Sequence, residues 1–177
     1  MASSRDQALS NRFRKWLNLC PPETRFLASA VEERLVPKIE SWGFRRVDIA
    51  LEDPEQPVSG SELRFERVSG DYIDCVEFNF WKYRSPKFQV HLSRRLAVRP
   101  NALVRSGNLV RRASQYYHLW GKPWWRPIRL WTEGTSIATI ASIESRLAEV
   151  PAFLERGERG GSISRAVDSS PTKKSDA

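Results

Sequence analysis

The sequence predicts an α+β fold: a four- to five-stranded antiparallel meander with helices packed on one face and a disordered C-terminal tail. Three patterns carry that expectation. Apolar residues repeat every three or four positions before Gly43, alternate with polar ones from Phe44 to Arg94, and return to helical spacing from Ile137 to Leu154. The chain has 177 residues, and a domain with about 150 ordered residues buries enough surface to fold without a metal or a disulfide.

Asp6 to Leu19 carries Leu9, Phe13, Trp16 and Leu17, the i, i+4, i+7, i+8 stripe of a short amphipathic helix. The Arg and Ser content of Met1 to Leu19 also fits an organellar transit peptide, but Phe13, Trp16 and Leu17 read equally well as a docking helix. Pro21-Pro22 ends it, so residues 1–22 are expected to form a helix and linker ahead of a single α+β domain over 23–156. A second helix is expected from Glu23 to Trp42, interrupted or bent at Pro37 and closed by Gly43.

Alternation then takes over. Phe44 to Leu51 is the first expected strand, a loop with Pro54 and Pro57 follows, and Leu63, Phe65 and Arg67 mark the second strand. Ser69-Gly70-Asp71 is a turn. Tyr72 to Tyr83 is a long third strand with Val76, Phe78 and Phe80 on one face, and Lys87 to Arg94 a fourth with Phe88, Val90 and Leu92 inward. Between Leu96 and Leu119, Pro100, Gly107 and several arginines break any period, so the expectation is a loop and then a short helix near Leu109 to Leu119. Trp124 to Trp131 reads as an aromatic edge strand, because Pro127 is tolerated best at an edge. Ile137, Ile140, Ala141, Ile143, Leu147, Val150 and Leu154 predict a last helix, N-capped by Thr135 and ended by Gly157. Residues 157–177 contain Gly160-Gly161, serines and Lys173-Lys174 but few apolar groups, the composition of a disordered basic tail.

Several short motifs occur in a fixed order: Trp42-Gly43-Phe44, Phe65-Glu66-Arg67, Ile73 to Phe80, and Phe88-Gln89-Val90-His91-Leu92 before a C-terminal helix. This order resembles the bacterial domain of unknown function family 4304 over Glu23 to Leu154, whose members run GF.R, F.R, I..V.FQ and F.V.LG. Phe78-Asn79 and Leu92-Ser93 depart from the Phe-Gln and Leu-Gly pairs of that pattern. The resemblance implies a small α+β fold with helices on an antiparallel sheet, and it implies no chemistry.

Catalytic signals are sparse. There is no GxSxG elbow, no GxGxxG or GxxxxGK[ST] phosphate loop and no HExxH, so neither a cofactor nor a metal is expected. The two histidines, His91 and His118, are each candidates only as a lone base. Asp71, Asp74 and Glu77 are close in sequence, but Asp74 and Glu77 are an odd number of residues apart on a strand and face opposite ways. Asp71 is more simply a turn residue. Cys20 and Cys75 are far apart without a CxxC spacing, which predicts two reduced thiols. No apolar run reaches the roughly 18–20 residues that span a bilayer, and the N-terminus lacks the apolar run of a secretory signal. A cytoplasmic protein without membrane contact is expected.

Charge is the informative quantity. The formal net charge is +8, with 22 arginines against seven lysines. From Phe78 through Thr132 there is no Asp or Glu, while Lys and Arg contribute twelve positive charges among Trp81, Tyr83, Tyr116, Tyr117, Trp120, Trp124, Trp125 and Trp131. Interleaved cations and rings suit phosphates and bases, or an acidic protein surface. The candidate anion-binding residues are therefore Arg94, Arg95, Arg105, Arg111, Arg112, Lys122 and Arg126, with Tyr116, Tyr117, Trp120 and Trp124 as stacking candidates. The expected function is a non-enzymatic binding domain for nucleic acid or an acidic protein. The alternatives are a small hydrolase, or a structural domain whose arginines are balanced by acids from other segments.

Overall fold

The structure, a computed structural model, describes residues 13–47, 61–81, 84–123, 125 and 127–164. Helix α1 covers 13–18, and α2 (Pro22–Arg34) follows at once. Proline at the first turn of α2 sacrifices no helical hydrogen bond, and Glu23 meets the positive end of the helix dipole. Pro37 has the expected effect: the helix breaks at Leu35 and restarts as α3 (Val36–Glu40). Gly43 then takes a φ of 86°, a conformation that glycine adopts without a Cβ penalty.

The sheet contains β1 (Arg45–Val47), β2 (Glu62–Ser69), β3 (Tyr72–Phe80), β4 (Lys87–Leu96), β5 (Arg99–Asn108) and β6 (Trp120–Gly121). The first five lie side by side in chain order, all antiparallel, and β6 pairs with the start of β4. Leu63 and Phe65 of β2, Val76, Phe78 and Phe80 of β3, and Phe88, Val90 and Leu92 of β4 are buried on the inner face. They join Leu27 and Val31 of α2 in one core with Ile140, Ile143 and Leu147 of α4 (Glu133–Leu147) and Phe153 and Leu154 of α5 (Val150–Arg156). Phe13 and Trp16 of α1 pack on Phe80, each with ring centroids 5.6 Å away, as a docking helix should. The opposite face is polar, with Arg64, Glu77 and His91 in one cross-strand row.

Four expectations are corrected. The segment after Leu96 is a ten-residue strand, β5, rather than a loop, and 109–119 forms no helix. Pro100 and Gly107 look like breakers but fit the strand. Pro100 sits near the start of an edge strand, and Gly107 lets Phe153 and Ile163 come within 3.1 and 3.2 Å of where a Cβ would stand. The extended aromatic piece is Trp120–Gly121, not 124–131. Residues Ile128–Leu130 form a 3-10 turn, and Trp124 and Arg126 lie outside the described residues. The last helix is two: a capping box of Thr132 with Thr135 starts α4, and the helix restarts as α5 with Pro151 in its first turn. Ile137, expected on the buried face, lies on the outer side of α4 and is exposed. Finally, residues 157–164, expected to begin the disordered tail, pack against the fold, and buried Ile163 bridges Leu109. The expectations for residues 1–12, for 48–60 with the expected loop at Pro54 and Pro57, and for 165–177 lie outside the described residues.

Candidate anion-binding face

The arginines proposed from sequence separate into two groups. Those on the sheet are engaged within the fold. Arg94, on the inner face of β4, is 7% exposed and donates through Nη1 to the Leu154 carbonyl. Its Nε lies 3.3 Å from Asp74 Oδ1, within ion-pair range but off hydrogen-bond geometry, and its guanidinium covers Tyr72 at 4.4 Å. Arg67 donates to Asp74 Oδ2 at 2.8 Å and to Glu155 Oε1 at 3.0 Å. Arg105 donates to the carbonyls of Phe153 and Leu154 at 2.8 and 2.7 Å. Both Arg94 and Arg105 thus donate to the Leu154 carbonyl at the negative end of the α5 dipole, and Arg105 adds a second donor to the Phe153 carbonyl, which already accepts the Gly157 N–H at 2.9 Å. On the outer face, Arg95 donates to Glu66 at 2.6 Å, and Arg64 pairs with the same carboxylate at 2.8 Å. Arg94, Arg95 and Arg105 therefore leave the list of anion-binding candidates: internal acceptors already hold their guanidinium groups.

The second group lies on the irregular segment after β5. Here the chain is clamped by the C-terminal strip, with Val110 N–H donating to Ser162 O and Ala113 N–H to Gly161 O, both at 2.8 Å. Arg111 and Arg112 are exposed, as is Arg129, and Lys122 is half-buried. None of these four makes an ion pair among the described residues. Tyr116 is 67% exposed and Tyr117 46%, and Trp125 is also exposed. Ala113 and Ser114 of this segment, with Arg159, Gly160 and Ile163, line an open cleft of about 520 Å³.

Trp120 is corrected. It is fully buried, and its Nε1–H donates to the Leu109 carbonyl at 3.0 Å, so it anchors the segment and offers no ring to a ligand. Gly121 beside it has a φ of 110°, and a Cβ there would fall 2.3 Å from the Pro86 carbonyl oxygen. Around the Trp120 indole stand Arg111 and Arg146, with their Cζ atoms 5.6 and 5.7 Å from the ring centroid, and His118 edge-on at 4.8 Å. Arg146, from α4, was missed because it lies beyond the acid-free stretch, and only the tertiary packing of α4 near β6 brings it here. Burial first, then Arg111 and Arg146, pull the His118 imidazole down to about 4, so it is neutral near pH 7. A similar repulsion acts on Lys87, which sits 4.4 Å from the Trp81 ring centroid: burial first, then Lys122, lowers its ammonium.

No hydrogen bond joins either histidine to a carboxylate among the described residues. His91 lies across the ladder from Glu77, and its Nδ1 is 3.2 Å from Asn108 Oδ1. Asp74 and Glu77 face opposite sides, Asp74 fully buried between two arginines. Cys20 and Cys75 are buried free thiols, and burial pushes Cys75 up to about 12, so it stays protonated and unreactive. Among the described residues no group of three or more His, Cys, Asp or Glu is placed to hold a metal, and no helix is long and apolar enough to cross a membrane.

Comparison with family models, curated proteins and solved structures finds no match to this chain.

Proposed function

We propose that the chain is a non-enzymatic binding domain that engages an anionic polymer, foremost a single-stranded nucleic acid, through the surface that carries Arg111, Arg112, Lys122 and Arg129. One observation carries the reading: Arg111, Arg112, Lys122 and Arg129 make no ion pair among the described residues, while Tyr116 and Tyr117 lie exposed in the same segment. Cations without internal partners meet phosphates at little cost, because no ion pair has to be broken first. Exposed rings beside them stack on bases, a contact that every base offers. The resemblance to the domain of unknown function family 4304 adds architecture only.

The test is a salt titration of affinity for single- and double-stranded oligonucleotides. Four phosphate contacts give a slope of log K against log salt of about −3 on a single strand. Absence of binding at low salt defeats the nucleic-acid reading, and a partner lost when Arg111 and Arg112 become Glu would instead point to an acidic protein.

A further inference from the structure

The cluster around Trp120 differs from every other gathering of arginines in the described fold. Arg67 and Arg94 share Asp74, and Arg64 and Arg95 share Glu66. Arg111, Arg146 and His118 converge on one indole with no carboxylate among them. Gathering like charges without a counter-ion is unfavourable, more so where a ring is half-buried and screening is weak. Donor capacity is also left over. The Nη1 of Arg146 is held by the Ser142 carbonyl at 2.5 Å, by Ser142 Oγ at 2.9 Å and by Ser145 Oγ at 3.2 Å, but its Nε is buried without a partner. His118 Nε2 is likewise buried and without a hydrogen-bond partner among the described residues, and Arg111 is exposed on the loop.

We infer that Arg111, His118 and Arg146 form a subsite for one phosphoryl group, the terminal phosphate monoester of an anionic ligand. The inference rests on the proposed anion-binding face and names the ligand group taken at one point on it. The donors arrive from two separate elements, the loop and α4, rather than as a single planar fork. That arrangement suits a tetrahedral dianion with three free oxygens better than a planar carboxylate. Ser142 and Ser145 hold Arg146 in place, and both guanidinium groups lie within 5.7 Å of the Trp120 ring centroid and near enough to act on His118. Nε2 of His118 then either donates as the neutral tautomer or takes up a proton when the anion arrives.

The experiment follows the imidazole nitrogens of His118 by NMR in the full chain at pH 7, titrated with inorganic phosphate and, in parallel, with ionic-strength-matched chloride and acetate. A saturable His118 shift with phosphate alone is expected, weakened at least about tenfold in Arg111→Gln and in Arg146→Gln. Arg111 is exposed, so its variant tests the idea even if Arg146→Gln folds poorly. No saturable shift, an equal shift with acetate, or a shift unchanged in both variants each overturns the subsite. A second arm compares oligonucleotides bearing a 5′-phosphate with the same strands ending in 5′-hydroxyl. Tighter binding of the phosphorylated strand supports the subsite. Equal binding of the two overturns it and leaves the wider face standing, whereas a phosphate response without any oligonucleotide binding supports the subsite and removes the polymer.

Discussion

Two arginine-rich regions of this molecule share a residue type and little else. At one end of the sheet, Arg67, Arg94 and Arg105 are consumed by Asp74, Glu155 and the last carbonyls of α5. On the segment beyond β5, Arg111, Arg112 and Arg129 make no ion pair among the described residues, and Arg146 satisfies part of its guanidinium on serines. The difference teaches that the count of positive charges is a poor guide to a binding face. What matters is whether the fold has already supplied each cation with an acceptor. The first region should then respond to mutation as a stability element and the second as a binding element.

The sharpest way to break this contrast is at Asp74. It is fully buried and pairs with both Arg67 and Arg94, so Asp74→Ala leaves Arg94 in the interior with the Leu154 carbonyl as an acceptor but with no counter-charge among the described residues. The expected loss is about 3–5 kcal/mol, read by denaturant unfolding. A loss under about 1 kcal/mol would mean that water already shares this cluster, and the two regions would no longer be different in kind. Next in size is Gly121→Ala, which must shift backbone because its Cβ would lie 2.3 Å from the Pro86 oxygen at a φ of 110°. A destabilisation of about 1–3 kcal/mol is expected by the same measurement. It would loosen the pairing of β6 with β4 that positions Trp120 near Arg111 and Arg146.

His118 sharpens the comparison through pH. Its folded value is held near 4, below the ordinary 6.5, so between those values the unfolded chain binds more protons than the folded one. Stability is therefore full above about pH 6.5 and falls as pH drops toward 4. The whole shift would correspond to roughly 3 kcal/mol, and screening of a half-buried ring brings the expected loss to about 1–2 kcal/mol. Measured against wild type, His118→Gln should lack this part of the acid sensitivity while keeping the part due to carboxylates. If both unfold with the same pH profile, the imidazole is not held against Arg111 and Arg146.

How far the sequence reveals this arrangement depends on whether the determinant is local. The α2–α3 break at Pro37, the turn at Gly70 and the inner faces of β2, β3 and β4 follow from residues a few positions apart, and all can be read directly. Strand β5 cannot, because Gly107 is a packing requirement set by Phe153 and Ile163, which lie far along the chain. The acid-free stretch from Phe78 to Thr132 is visible, yet the fate of its arginines is not: Arg94 and Arg105 find acceptors on α5, and Arg95 finds Glu66 on β2. Trp120 and Tyr116 look alike as aromatic side chains among cations, and only the hydrogen bond to Leu109 and the pairing with Phe88 reveal that one is core and the other surface.

The smallest expected effect is also the most discriminating. Arg112 is exposed and its guanidinium makes no ion pair among the described residues, so Arg112→Ala should change stability by less than about 0.5 kcal/mol. Arg105→Ala, which strips two hydrogen bonds from the last turn of α5, should cost about 1–3 kcal/mol. In oligonucleotide binding the order reverses. Removing one phosphate contact lowers the salt slope by about 0.7–1 without regard to sequence, and Arg112 is positioned to make such a contact whereas Arg105 is not. Measuring both variants by unfolding and by salt titration gives four numbers, and the contrast between the two regions holds only if stability and slope move in opposite order.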